Sequence, residues 1–330
     1  MGSSLESLAP REPLGFFPTP LHPLPRLTAY VREWRGPRLW IKRDDLTGFA
    51  LGGNKVRKLE FFLAEARATG ADVLLTAGGQ QSNHARITAA AAARAGLDCV
   101  LVLSGGRPAA WAGNLALDRL FGAEARFVEK GPERMPALQA LADALRAAGR
   151  RPLVIPIGGS TPLGALGYVE AAREVVAQLR RIDVAPAAIV HASSSGGTQA
   201  GLVVGLRAAG LVSRVIGVSA DETRADLTRM VTDIAGPLAD RLDRVMPPVD
   251  AIEVLDDQVG AGYGVPTPAS EEAARLFARL EGIPLDPTYG AKAAAGLLDL
   301  VRRGTFRPDD TVVFWHTGGA TWSVPPGAQA

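Results

Sequence analysis

The residues most able to do chemistry gather in short runs that set glycines beside a basic or polar group. In Leu51-Gly52-Gly53-Asn54-Lys55-Val56-Arg57-Lys58-Leu59-Glu60, paired glycines precede a segment of helical periodicity. Asn54 reads as the N-cap, and Lys55 falls in the first turn. Positive potential at a helix start lowers a lysine's pKa and favours the neutral amine, the form that attacks a carbonyl to make a Schiff base. Lys58 follows one turn later on the same face, where it can meet an anion. Taken alone, the run fits a glycine turn into a basic surface helix better than a catalytic element. Its spacing is not that of a GxxxxGK phosphate loop.

Ala77-Gly78-Gly79-Gln80-Gln81-Ser82-Asn83-His84-Ala85-Arg86 joins an apolar strand to an Ala-rich helix. Glycines, a hydroxyl and an amide at a helix start form an anion site, and Ser82 or Asn83 can equally be an ordinary cap. His191-Ala192-Ser193-Ser194-Ser195-Gly196-Gly197-Thr198 again links a strand to a helix. Its hydroxyls and closely approachable backbone N–H groups suit a phosphate monoester. The adjacent glycines do not make the G-x-G-x-x-G dinucleotide pattern. Phe314-Trp315-His316-Thr317-Gly318-Gly319 ends a strand where α/β proteins place ligands. Asp286-Pro287-Thr288-Tyr289-Gly290 puts a tyrosine ahead of a helix, and Tyr263 sits among Gly260, Gly262 and Gly264.

Composition narrows the chemistry. The chain has 330 residues, a net charge of +2, 47% hydrophobic and 21% charged residues, one cysteine and four histidines. Cys99 alone cannot form an intrachain disulfide or a cysteine metal cluster, and the histidines lie at no metal-ligand spacing, so no metal is expected. Near-neutral charge without basic runs gives no reason to expect nucleic acid, and no apolar window is long enough to span a bilayer. Neither is a signal peptide visible at the N-terminus, so the expected location is cytoplasmic. What remains is an amine for a carbonyl, a nest for a phosphate and an anion-binding helix start. That set matches the needs of pyridoxal 5′-phosphate, and an enzyme that borrows a cofactor's electron sink needs few catalytic side chains of its own.

Strands must carry these runs. Candidates are 39–42, 73–76, 100–103, 125–128, 154–157, 188–192, 215–219 and 312–316. They alternate with candidate helices at 56–68, 82–95, 114–120, 137–148, 164–180, 198–208, 224–235, 268–280 and 291–303. This order predicts βαβ units, hence mainly parallel twisted sheets covered by helices on both faces. The segment 17–43 reads as a strand and loop leading in. The Gly/Pro-rich stretch 158–167 splits the units into two groups, and 259–268 is a second candidate hinge.

Several runs occur in order: Pro18-Thr19-Pro20-Leu21, Lys42-Arg43-Asp44-Asp45-Leu46, Gly52-Gly53-Asn54-Lys55 with Arg57 to Glu60, Gln81 to Arg86, Asp286-Pro287 with Tyr289, and His316 to Gly319. Together they resemble the D-cysteine desulfhydrase and 1-aminocyclopropane-1-carboxylate (ACC) deaminase family of pyridoxal-phosphate enzymes, from about Phe17 to Ala320. The resemblance implies the tryptophan-synthase-β fold: two three-layer α/β domains, the large one from 1–51 and 167–330, the small one inserted as 52–166, commonly as a homodimer. It implies that Lys55 holds the cofactor and moves the Cα proton. Asn83 would bond the phenolic oxygen, and Lys58 with Ser194, Ser195, Gly196, Gly197 and Thr198 would hold the phosphate. Ser82 would meet the substrate carboxylate, with Asn83, His84, Tyr263 and Tyr289 around the substrate. Thr317 would lie at the pyridine-nitrogen end.

ACC deaminases of the family carry Glu after the tyrosine and Leu after the histidine; here those positions are Gly290 and Thr317. A hydroxyl at the ring nitrogen makes a weaker electron sink than a carboxylate, which suffices when a good β-leaving group departs. The resemblance is therefore to the desulfhydrase branch, with β-elimination from a small amino acid such as D-cysteine. L-Cysteate sulfo-lyase, diaminopropionate lyase, ACC deaminase and racemase chemistry are the alternatives, and a non-catalytic binder of the cofactor or of a phosphorylated ligand is the alternative of another class. The phosphate run is a variant of the family's. The tail Ala320 to Pro326, implied to lie near the site, departs from the usual proline and aromatic ending.

Overall fold

The computed structural model describes residues 8–319 apart from 245, 246 and 248. The divergent run 320–326 lies outside the described residues. Two sheets form. The first contains β1 (Leu21–Pro23), β2 (Arg38–Arg43), β7 (Ala188–Ser193), β8 (Arg214–Ser219), β9 (Glu253–Leu255) and β10 (Thr311–His316), in the order β1-β2-β10-β7-β8-β9. Only β1 runs antiparallel to its neighbour. The second contains β3 (Val73–Gly79), β4 (Asp98–Ser104), β5 (Glu124–Val128) and β6 (Pro152–Val154), all parallel, in the order β5-β4-β3-β6.

Helices cover both faces of each sheet. On the first, α6 (Pro162–Arg181), α7 (Gly197–Ala208) and α8 (Arg224–Arg241) bury residues such as Tyr168, Leu202 and Leu227 against one face. On the other, α1 (Pro25–Arg32), α9 (Pro268–Glu281) and α10 (Gly290–Arg302) bury Leu27, Phe277 and Leu297. On the second sheet, α2 (Lys55–Thr69), α3 (Asn83–Ala95) and α4 (Gly113–Leu120) bury Leu59, Ile87 and Leu115, while α5 (Arg134–Ala147) buries Leu138 and Leu141 opposite. Each such side chain contributes about 1.5–3 kcal/mol by leaving water. Residue 166 falls inside α6, whose Leu163 touches the second sheet's core while Tyr168 and Val175 pack in the first.

Several elements depart from the sequence expectation. The segment 17–43 holds a helix, α1, started by Pro25 at its first turn, where a missing N–H costs nothing. The strand expected at 154–157 ends at Val154; Pro156 cannot donate to a ladder, and Gly158 takes a left-handed φ of 71° in the turn that follows. Helix α8 runs to Arg241 rather than stopping at Ala235, because buried Leu238 and Ala239 hold it across Pro237.

Behind the start of α2 lies a buried charge cluster. Asp44 accepts from Arg57 Nε (2.9 Å) and Nη2 (2.8 Å), Tyr168 OH (2.6 Å), Trp315 Nε1 (2.9 Å) and Thr19 Oγ1 (2.9 Å). Glu174 of α6 pairs with Arg57 and Lys42. Two cations and two anions compensate, which is the condition for burying any of them. The cluster ties β2, α2, α6 and β10 together two residues beyond Lys55.

Candidate active site

The carboxyl ends of β3, β7 and β10 and the starts of α2, α3, α7 and α10 converge on a cavity of about 870 Å³ between the sheets. Lys55, Ser82, Asn83, His84, Tyr263, Tyr289, Ser194, Ser195, Gly196, Thr198 and Thr317 all lie on its wall. Parallel sheets offer ligands this position because helix N-termini, with their spare N–H groups, collect there.

Lys55 opens α2. Its approach is set by glycines packed face to face: a Cβ on Gly53, at φ +113°, would lie 3.2 Å from the Thr317 carbonyl, and one on Gly318 would collide with the Gly53 backbone. Asn54 N donates to Thr317 O at 2.8 Å, closing the two loops on each other. The Lys55 amine is pushed down to about 8, chiefly by burial, with Asp286 opposing. The sequence suggested the helix start as the cause; in the fold burial is the leading one. Asn54 also differs from expectation, since its side chain caps nothing. Its Oδ1 accepts from Lys55 Nζ (3.1 Å) and its Nδ2 donates to Thr198 Oγ1 (3.0 Å), linking the amine to the serine-rich loop.

Ser82 does cap α3, accepting from Ala85 N at 3.2 Å, which leaves its hydroxyl proton for the cavity. Asn83 is oriented from behind. Its Oδ1 accepts from Arg86 Nη1 (3.0 Å) and Asn114 Nδ2 (3.0 Å), so its Nδ2 is the end left to donate to a ligand. Arg86 also binds Asn114 Oδ1 (2.8 Å) and Gly52 O (3.0 Å), joining α3 to the lysine loop. Burial pulls Arg86 down to about 10, and it stays charged at neutral pH. The Asp118 carboxyl stands nearby with no hydrogen-bond partner among the described residues, and burial pushes it up to about 7. His84 bonds Thr76 Oγ1 at 2.9 Å; burial and the two lysine charges hold it far below the usual histidine range, hence neutral.

The serine-rich loop forms a cradle. Ser195 Oγ lies 2.7 Å from Ser160 Oγ, and Gly197 N donates to Ser160 Oγ at 3.3 Å. A Cβ on Gly197 would meet Ser160 Oγ at 2.7 Å and Lys58 Nζ at 2.8 Å. Lys58 and Gly197 thus stand behind the cavity wall rather than on it. The Lys58 ammonium donates to Gly158 O (3.0 Å) and Ser160 Oγ (3.3 Å), and burial lowers its pKa strongly. Lys58 Nζ thus sits against Ser160 and Gly197 at the base of the cradle. Ser194 Oγ donates to Asp221 Oδ2 at 3.2 Å, while Ser193 Oγ and Asp221 Oδ1, both of the wall, are buried with no hydrogen-bond partner among the described residues.

On the opposite side Tyr289 and Tyr263 hydroxyls lie 2.6 Å apart, with rings edge to face at 5.8 Å. Burial raises Tyr289 well above the usual phenol range, so it stays protonated. Asp286 places Tyr289: its carboxylate accepts from the backbone N–H groups of Thr288 (3.1 Å), Tyr289 (2.9 Å) and Gly290 (2.8 Å). Among the described residues no group of three or more His, Cys, Asp or Glu could hold a metal ion, and no helix is long and apolar enough to cross a membrane.

The model of the family described as pyridoxal-phosphate dependent enzyme matches residues 13–318. The chain belongs to that family. D-cysteine desulfhydrases from Salmonella typhi and Salmonella choleraesuis are each 44% identical over 316 residues, covering 94% of this chain and 94% of theirs. The crystal structure of an ACC deaminase homologue has a TM-score of 0.86 at 37% identity, covering 94% of this chain and 92% of that one. A pyridoxal 5′-phosphate-dependent aspartate racemase, at 19% identity and a TM-score of 0.66, shares the fold.

The residues present fit the family's cofactor. A depressed amine and a cradle that a Cβ at Gly197 would crowd meet in one cavity with the orphaned Ser193 hydroxyl. Residue types alone missed the roles of Arg86 and Asp286, although both stand inside the quoted runs, and that of Ser160, in the stretch read as a hinge. Asn114 gave no signal, because only folding brings α4 beside α3.

Proposed function

We propose that this enzyme is a D-cysteine desulfhydrase, converting D-cysteine and water to pyruvate, hydrogen sulfide and ammonia. The observation that carries the reading is the meeting of one depressed amine, Lys55, with Ser82 on one side and the paired hydroxyls of Tyr263 and Tyr289 on the other. Near-full-length similarity to D-cysteine desulfhydrases supports it. When bound, pyridoxal phosphate supplies the electron sink for the charge left at Cα. The protein's residues do the rest. Ser82 Oγ and the N–H groups opening α3 hold the substrate carboxylate. Asn83 Nδ2 would donate to the cofactor's phenolic oxygen, and Ser194, Ser195, Gly196 and Thr198 would hold its phosphate. Lys55 Nζ, neutral in a fraction of molecules near pH 8, takes the Cα proton. Tyr289 OH, protonated and steadied by Tyr263 OH, is the proton source for the departing sulfur. Thr317, on the cavity wall, would offer the ring nitrogen a neutral hydroxyl, which would favour loss of a good β-leaving group over ACC ring opening.

We further infer the two-domain division at 52–166, a homodimer and a cytoplasmic location, which follow from the family resemblance; light scattering on the purified enzyme checks the dimer. The function is tested with D- and L-cysteine, L-cysteate, diaminopropionate and ACC, following pyruvate, sulfide, sulfite, ammonia and ketobutyrate. Sulfide and pyruvate in equal amounts, fastest from D-cysteine, is the expected result. Ketobutyrate from ACC at a higher kcat/KM would overturn the assignment. Lys55→Ala should lose the visible absorption band of the bound cofactor together with turnover.

A further inference from the structure

Lys292 ends inside a ring of backbone oxygens. It stands in the first turn of α10 and is fully buried. Its Nζ donates to Ala220 O at 3.0 Å, Val259 O at 2.8 Å and Gly262 O at 2.8 Å. Three donors meet three acceptors, and none is a side chain. Ala220 follows the end of β8, whereas Val259 and Gly262 belong to the turn that presents Tyr263. That turn has little conformational preference of its own: Gly260, Gly262 and Gly264 sit at φ of +63°, +134° and +74°. The backbone bonds of Val259, Gly262 and Val265 reach only Asp256, Val259 and Gly262, all within the same stretch. At its start the stretch is held by Arg224 N on Asp256 Oδ2 (2.8 Å) and by Arg303 beside Asp257; around Tyr263 it is held by the ammonium and by the Tyr263–Tyr289 hydroxyl pair. The two attachments around Tyr263 start from one helix, because Tyr289 caps α10 and Lys292 lies three residues on. The helix thus grips the turn by its backbone and by its side chain.

We propose that Lys292 acts as a tethered monovalent cation, its ammonium gathering three carbonyls to hold the Tyr263 turn against Tyr289 at the cavity. It is a positioning residue, since it touches no cavity atom. The proposal rests on the reading above in one respect, that the tyrosine pair serves the substrate. A carbonyl ring that suits an ammonium also suits a free cation of like size. Removing the side chain should therefore turn a cation-independent enzyme into a cation-dependent one.

The test compares the holoenzyme with Lys292→Ala and Lys292→Met in buffers whose cation is tetramethylammonium, which is too large for the ring. A hydrogen bond to a charged group is worth roughly a tenfold or larger change in an equilibrium, so Lys292→Ala should lose about tenfold or more in kcat/KM for D-cysteine. Its cofactor absorption band should be retained, because the Lys55 amine bonds Asn54 and not the carbonyl ring, although Ala220 N donates to Ser193 O of the serine-rich run. Ammonium, methylammonium or potassium should restore activity saturably in Lys292→Ala. Neither the wild type nor Lys292→Met, whose side chain fills the space, should respond. The melting temperature of Lys292→Ala should rise with ammonium and not with tetramethylammonium, a readout that needs no substrate and also serves a variant that folds poorly. Unchanged kcat/KM in Lys292→Ala, or a loss of activity and stability that no small cation relieves, would overturn the proposal. A cation-dependent melting temperature without D-cysteine turnover even in the wild type would retain the site and refute the substrate assignment.

Discussion

Asp44→Asn offers the sharpest test of how the lysine helix is held. Asp44 is fully buried and accepts five hydrogen bonds, two from Arg57 and one each from Tyr168, Trp315 and Thr19. The substitution keeps the shape and removes one negative charge, leaving Lys42 and Arg57 with Glu174 as the remaining anion of the cluster. Stranding a buried charge in this way costs about 3–5 kcal/mol. With a urea slope of at least about 3 kcal/mol/M for a chain of this length, the unfolding midpoint should fall by about 1 M. Adding Arg57→Met removes the stranded cation, so the double variant should be more stable than the sum of the singles by more than about 1 kcal/mol. The effect has a pH signature. Arg57 and Lys42 overcome the desolvation of Asp44 and hold its carboxyl well below the usual carboxylate range. A depressed carboxyl stabilises the fold fully above its unfolded pKa of about 3.9, and that contribution is lost as pH falls toward the folded value. The gap between wild type and Asp44→Asn should therefore be constant from pH 5 to 8 and shrink in stronger acid. Urea titrations followed by far-UV circular dichroism read both. A midpoint shift below 0.3 M, or strictly additive singles, would refute the charge-compensation argument.

Three further outcomes follow from the site. Because the Lys55 amine lies at about 8, reconstitution of the apoenzyme with pyridoxal phosphate, followed by stopped-flow absorbance, should quicken about tenfold per pH unit below that value and level off above it. Ser160→Ala breaks the bridge between Lys58, Gly197 and Ser195, and should weaken cofactor affinity by about 5- to 30-fold in equilibrium dialysis while Lys55 still forms its absorbing adduct. Asn114→Ala removes one of two donors that fix the Asn83 amide. A looser donor leaves the phenolic oxygen more basic, so the pH midpoint of the cofactor's visible band should move upward.

Much of this arrangement was legible in residue order. Apolar β-branched runs alternating with helix-length segments specify parallel sheets, and glycines with hydroxyls after strands specify where a ligand approaches. Local signals failed where tertiary packing decides. β9 has three residues and earns its place by pairing with β8, and α1 hides among prolines that read as loop. The runs containing Lys55, Asn83 and the serines stood out because their chemistry is dense in sequence. Asn114 and Ser160 act through hydrogen bonds that only folding makes, Asn114 to Gln81, Asn83 and Arg86 some 28–33 positions away, and Ser160 to Ser195, Gly197 and Lys58 some 35–102 positions away. Lys58 stood out by type and spacing, and the fold sets its amine beside Ser160 Oγ and Gly158 O at the cradle.

The place of β10 in the sheet has a consequence for how the enzyme is made. This strand, residues 311–316, lies between β2 and β7 and hands on to Thr317, whose carbonyl receives the Asn54 N–H. On the ribosome, β2 and β7 emerge long before the strand that must separate them. The lysine loop finds Asp44, Thr47 and Arg86 early, but the Thr317 carbonyl that receives the Asn54 N–H comes only after some 260 further residues. Until then the nascent chain carries its amine without the strand that completes this side of the pocket.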